Sequence, residues 1–347
     1  MVQAWVSLKR LQHYLNLNNL NWLTYYTFNE IEFNRDSVYV DIRDGEFSWK
    51  KSLEEDLNDS PIEQNNLMSS DVQEYHCLTL KKLNFKVKKG QLIGCIGKVG
   101  SGKTSFLHTI MAELDKINGK IRIDPLVLAS GFAYVGQESW IKATSIKENI
   151  LFGSKMNLDL YKRVIDACAL APDLELLPYG DETLVGENGV CLSGGQKARL
   201  ALARACYSMD KEIFLLDDPF SAVDAHVAAH INKNCINDLL QNKTRVVCTH
   251  HYKHLANADL VLVFDDGEIV ESGRGEEIIE NLPNYIKTLC LDKQSQDDEN
   301  KENSEPNLKS GVSKENLKEK LEAKEIQRQD EEEKEHGIIS LKVINWV

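Results

Sequence analysis

The sequence lacks any run of eighteen apolar residues, so no segment of it reads as a bilayer-spanning helix. It also lacks a CxxC pair. Its eight cysteines, at 77, 95, 168, 191, 206, 235, 248 and 290, are scattered, most of them inside apolar runs such as Gly94-Cys95-Ile96. That pattern argues against a disulfide framework or a zinc site and predicts buried free thiols in a reducing compartment. No cleavable signal is expected, because Lys9, Arg10 and His13 interrupt the apolar residues near Met1. A basic stripe is missing too. Lysine plus arginine number 41 against 54 aspartates and glutamates, a formal charge of −13, which argues against sequence-independent nucleic-acid binding. We find no internal repeat.

What is present is uneven in texture. Residues 1–17 place Val2, Trp5, Leu8, Leu11 and Leu15 on one side of an amphipathic helix, within a helical segment over 1–36. Strands and helices alternate over 37–290, which predicts an α/β fold with a mainly parallel sheet. Residues 51–76 interrupt it with one basic and seven acidic side chains, Pro61 and little periodicity, the texture of a mobile loop. In 293–336, 23 of 44 side chains are charged, so 291–336 reads as a disordered acidic linker. Residues 337–347 turn apolar again.

The apolar run Gln91 to Ile96 leads into Gly97-Lys98-Val99-Gly100-Ser101-Gly102-Lys103-Thr104, which fits GxxxxGK[ST]. Phe106, Leu107, Ile110, Met111 and Leu114 then recur at helical spacing. Strand, glycine loop and helix form the context a phosphate-binding loop needs. Glycines let the backbone wrap the phosphates, its N–H groups and the helix N-terminus supply positive potential, and Lys103 reaches the terminal phosphates. Thr104 is placed to put its hydroxyl on Mg²⁺. Gly97, Gly100, Ser101, Gly102, Lys103, Thr104 and Ser105 are the candidate nucleotide-binding set.

A second apolar strand, Ile213 to Leu216, ends in Asp217-Asp218. A buried strand that delivers a carboxylate beside a phosphate loop makes Asp217 the metal-side candidate and Asp218 the candidate general base for water. Between these motifs, Leu192-Ser193-Gly194-Gly195-Gln196 precedes an Ala/Leu-rich run and reads as another helix N-terminus with open amides. One domain does not need two such sites for one triphosphate. The second is therefore expected to serve another domain's nucleotide.

LSGGQ at this position resembles the signature of ATP-binding cassette proteins. Phe47-Ser48-Trp49, Gly136 to Ile141, Glu148 to Gly153 and Asp217 to Asp224 resemble the first nucleotide-binding domain of the C subfamily, which includes the multidrug-resistance-associated proteins. The resemblance covers nearly the whole chain. It implies a P-loop cassette with a mainly parallel core sheet, an antiparallel β subdomain and a helical signature subdomain. It makes Trp49 the adenine platform, Gln137 a sensor of Mg²⁺ and the attacking water, and His250 a contact to the γ-phosphate. Asp224 is implied to sit where two cassettes meet. Ser193, Gly194, Gly195 and Gln196 are implied to complete a partner's ATP site, and Thr104, Gln137 and Asp217 to hold Mg²⁺. His251 and His254 are expected to be solvated helix residues. The family pattern has Glu after the Walker-type aspartate, whereas Asp218 stands here; first cassettes of the subfamily commonly show this, and it implies slow hydrolysis.

The resemblance further implies ATP and Mg²⁺ as cofactors, a second nucleotide-binding domain facing head to tail, and transmembrane bundles on either side. The chain is then an internal piece of a larger transporter, or a truncated one, at the cytoplasmic face of a membrane. The leading expectation is an ATPase that powers export of organic anions or drug-like compounds. The alternative is a regulatory module that gates a channel-like or receptor-like relative. A soluble cassette ATPase of translation or DNA repair would need a tandem cassette or a coiled-coil insertion, and neither is here.

Overall fold

The computed structural model describes residues 5, 7–8, 10–12, 22–27, 38–49, 79–186 and 192–281, and these contain nine strands in two sheets. The smaller sheet is antiparallel, ordered β2-β1-β4, from β1 (Val38–Ser48), β2 (Leu80–Lys88) and β4 (Asp115–Ile123). The larger follows the order β5-β6-β7-β3-β8-β9, from β3 (Leu92–Gly97), β5 (Phe132–Val135), β6 (Ile213–Asp217), β7 (Thr244–Cys248), β8 (Leu260–Asp265) and β9 (Glu268–Gly273). Its pairings are parallel except β8 with β9.

Burial explains the two sequence textures. In β2, Leu83, Phe85 and Val87 alternate with exposed polar residues, as in a strand with one wet face. In β3 and β6 every residue is buried, because both faces are covered. Ile93, Cys95, Ile213 and Leu215 face the core shared with the small sheet, whereas Leu92, Ile96, Phe214 and Leu216 face the helical layer. Helix α1 (Lys103–Ile110) is wedged between the sheets by Phe106, whose ring centroid lies 5.1 Å from Phe85 and 5.3 Å from Phe264. The helix stops earlier than the apolar spacing predicts. Ala112 takes a left-handed φ of 63°, and Leu114 is buried beyond the turn instead.

The helical layer holds α2 (Ile146–Leu151), α3 (Leu158–Ala167), α4 (Gly194–Tyr207) and α5 (Ala225–His230). α5 continues directly into a π-helix, Ile231–Leu239. The expected core sheet, antiparallel sheet and helical signature region are thus all present. Trp5, Ser7, Leu8, Arg10, Leu11 and Gln12 are helical, with Trp5, Leu8 and Leu11 exposed. The insert 51–76, the acidic linker 291–336 and the apolar end 337–347 lie outside the described residues.

Candidate functional site

Parallel strands end on one edge of their sheet, and ligand sites of α/β folds collect there. The end of β3 delivers the loop 97–102, β5 leads to Gln137, β6 ends in Asp217 and Asp218, and β7 runs into Thr249 and His250. These segments line one cleft, with Val99, Gly100, Lys103, Thr104, Gln137, Asp217, Asp218, Cys248, Thr249 and His250 on its walls. Residues scattered over about 150 positions of sequence are brought together here.

The loop itself is tight. Gly97 has φ +153°, and a Cβ there would lie 2.2 Å from the Phe264 carbonyl oxygen, so only glycine fits. Lys103 is 8 % exposed, and its ammonium donates to the carbonyls of Gly97 at 2.8 Å and Lys98 at 2.7 Å. The Ser101 hydroxyl is buried without a hydrogen-bond partner, an orphaned polar atom inside the loop that suits an anionic ligand. The Thr104 hydroxyl donates to Asp217 Oδ2 at 2.8 Å, so the two expected metal-side groups are neighbours. Together with Gln137 they form an oxygen donor set, which suits a hard divalent cation.

Both carboxyls are pushed above their ordinary values. Burial raises Asp217, against the opposing Thr104 hydrogen bond and the charge of Lys103. Burial also raises Asp218, helped by the neighbouring Asp217; His251 and the Thr249 hydrogen bond oppose it. Asp218 sits in the left-handed region at φ 48°, and its N–H donates to the Cys248 carbonyl at 2.8 Å. A buried carboxyl whose pKa is raised, standing in a cleft, suits proton transfer.

Trp49 is 44 % exposed just past β1, so it is not a core side chain. Its indole N–H donates to Ser105 Oγ at 3.1 Å, and His108 packs against the ring at 5.3 Å. The indole therefore stands at the first turns of α1, beside the loop.

Ser193, Gly194, Gly195 and Gln196 are not among the residues that line this cleft. They open α4. Ser193 accepts from the Gln196 N–H at 3.2 Å while Gln196 Oε1 accepts from the Ser193 N–H at 2.9 Å, a reciprocal capping box. Asp173 receives Gln196 Nε2 at 3.0 Å and Arg199 at 2.7 Å, fixing the first turn. A Cβ on Gly195 would meet the Ala222 carbonyl oxygen at 2.7 Å. That glycine thus admits the loop leading to Asp224, which in turn caps α5 by accepting from the Val227 N–H at 2.9 Å.

One expectation needs correction. His251 and His254 are not solvated. Both are half-buried, with His254 tilted over Phe220 at 4.7 Å and its pKa held down by burial. The short 3-10 turn Tyr252–Leu255 draws them inward as Tyr252 and Leu255 enter the core. The five described cysteines are buried and free as expected, and Cys168, Cys206 and Cys235, far apart in sequence, converge in space. The motifs also missed Thr249 and His108. A hydroxyl between the strand-end Cys248 and His250 was the available signal for the first; the second had none.

Phosphate loop, acidic strand end and separately presented signature together define an ATP-binding cassette, and the chain belongs to that family: residues 80–221 match the family model described as ABC transporter. The subfamily follows from whole-sequence similarity. The chain is 40 % identical to ATP-binding cassette sub-family C member 10 of Homo sapiens over 80 % of its own length and 17 % of that protein's. It is 38 % identical to ABC transporter C family member 6 of Arabidopsis thaliana, over 83 % of its length and 18 % of the relative's. Against ABC transporter C family MRP4 of Zea mays the identity is 41 %, over 81 % and 16 %. It is a nucleotide-binding domain of the C-subfamily type, and it spans less than a fifth of the length of these relatives. Among the described residues no helix is long and apolar enough to cross a membrane.

Proposed function

We propose that this cassette binds Mg-ATP and couples its binding and hydrolysis to the movement of an organic anion or drug-like compound by flanking transmembrane bundles, working from the cytoplasmic face. The Thr104–Asp217 contact at 2.8 Å, beside Lys103 and the orphaned Ser101 hydroxyl, carries the reading. When bound, Mg²⁺ supplies positive charge against the terminal phosphates. Thr104, Gln137 and Asp217 are the groups that would hold it. Lys103 exchanges its two loop carbonyls for phosphate oxygens, Trp49 stacks on adenine, and His250 donates toward the terminal phosphate. Asp218 takes the proton of the attacking water, from a carboxyl one C–C bond shorter than the family's glutamate. That retraction matters because catalytic geometry is sensitive at the ångström level, so hydrolysis at this site is slow.

The signature residues are not among those lining the chain's own cleft, which supports a head-to-tail partner cassette whose ATP they complete. An exposed aromatic patch supports coupling to the bundles. Trp140 and Phe152 are 59 % and 55 % exposed, three and fifteen positions past Gln137, and the Arg204 guanidinium lies 5.1 Å from each ring. The segments 1–36 and 291–347 then connect the cassette to the bundles. Lys103→Ala tests the reading at its base. Mg-ATP should raise the melting temperature of the wild-type chain, and the variant should need well over tenfold more nucleotide for the same rise. Equal stabilisation of both would refute this loop as the binding site.

A further inference from the structure

We propose that Cys168, Cys206 and Cys235 form a three-coordinate thiolate site for a soft monovalent metal ion, Cu(I) by chemical class. The three residues are remote in sequence and come from three elements of the helical layer. Cys168 caps the C-terminal end of α3, Cys206 lies in the last turn of α4, and Cys235 sits in the π-helix that continues α5. All three are fully buried in the apolar core. Their sulfurs all lie within 4.8 Å of one another, and those of Cys206 and Cys235 are 3.2 Å apart.

The geometry selects the ion. Metal–sulfur bonds of about 2.3 Å place the sulfurs of a planar trigonal site about 4 Å apart, so collecting these three requires shifts of about 1 Å or less. Structural zinc sites are closed by four ligands. Among the described residues no fourth cysteine, histidine or carboxylate joins the group. A sulfur-only, three-ligand, water-poor site matches the preference of Cu(I) for soft thiolates. The π-helix is the second structural feature. Such wide turns are uncommon and cluster at functional sites, and this one carries a ligand near its middle. Binding exchanges protons for metal: each S–H that becomes a metal–sulfur bond releases one proton to solvent, with no change of oxidation state. The occupied site would pin the last turn of α4, the helix that opens with the signature, to α3 and the π-helix. This inference does not rest on the ATP reading.

The test uses the full 347-residue chain with Cys77, Cys191 and Cys290 replaced by serine, titrated anaerobically with Cu(I) against a chromogenic Cu(I) chelator, and in parallel with Zn²⁺. One Cu(I) per chain should be retained, with a three-sulfur shell by X-ray absorption and a raised melting temperature. Cys206→Ala and Cys235→Ala should each lose more than the about 10–100-fold in affinity that removal of an outer-shell partner costs. Cys95→Ala, whose thiol is buried in the other core, should bind as before. Should Cys206→Ala fail to fold, Cys168→Ala at the helix end reads the same loss. Failure to hold Cu(I) against the chelator, binding indifferent to these alanines, or Zn²⁺ held as tightly as Cu(I) would overturn the proposal. So would a Cys206–Cys235 disulfide in the metal-free chain.

Discussion

The Thr249 hydroxyl donates to Asp218 Oδ1 at 3.2 Å, so the end of β7 holds the candidate base that leaves the end of β6. Thr249 itself is fully buried and also accepts from the His251 N–H at 3.0 Å, which fixes the hydroxyl. The bond favours the ionised carboxylate and opposes the burial that raises its pKa.

If Asp218 is the base, hydrolysis falls as pH drops through its raised pKa. Thr249→Val removes a bond to the charged form, so the acid limb of the rate profile should move to higher pH, by up to about one unit. Asp218→Glu should raise hydrolysis once a partner cassette is supplied, because it restores the missing reach. A pH–rate profile identical in wild type and Thr249→Val would remove Thr249 from the mechanism. No gain from Asp218→Glu would mean that the shortened carboxylate is not limiting.

Asp217 carries a trade-off between binding and stability. Its folded-state pKa lies above the unfolded value because of burial. Its favourable contribution is therefore complete below the unfolded value and is lost as pH rises through the folded value. At neutral pH the buried charge costs stability. Asp217→Asn keeps an acceptor for Thr104 and removes the charge. The nucleotide-free variant should melt higher than wild type at pH 7, with the gap closing as pH falls toward the unfolded carboxylate range. The Mg²⁺ dependence of ATP binding should be lost. Thermal melts over pH, with and without Mg-ATP, read both effects.

Trp49→Ala should cost about 1–3 kcal/mol of nucleotide affinity, as base–aromatic stacking does elsewhere. Trp49→Tyr should cost much less. Because Trp49 is exposed, the stability of the free chain should change by no more than about 0.5 kcal/mol. A large drop in stability with unchanged affinity would assign the indole to packing.

Ser193→Ala breaks one half of the capping box and should destabilise α4 by about 1 kcal/mol. Its larger effect should fall on the partner's turnover, since the opened helix end no longer presents a hydroxyl to that site. Turnover of a wild-type partner cassette paired with the variant is the measurement. Loss confined to this chain's own ATP binding would contradict the head-to-tail arrangement.

Local patterns were legible in the sequence for a local reason. The run Gly97 to Thr104 is a loop because its glycines permit backbone angles that other residues resist, and the apolar residues on either side set strand and helix by their spacing. Asp217 could be placed for the same reason, since a fully apolar strand must be buried on both faces and must release its last carboxylate at the sheet edge. Ser193 and Gln196 announced a helix start three residues apart. The apolar repeat could not show that α1 ends at Ile110, because a left-handed Ala112 is a compromise with the buried Leu114 beyond it. Burial of His254 against Phe220, the Thr249–Asp218 bond and the meeting of Cys168, Cys206 and Cys235 were likewise decided by tertiary structure alone. Those contacts join segments up to 67 positions apart, and their distances are set by how strands and helices pack, which no spacing along the chain encodes.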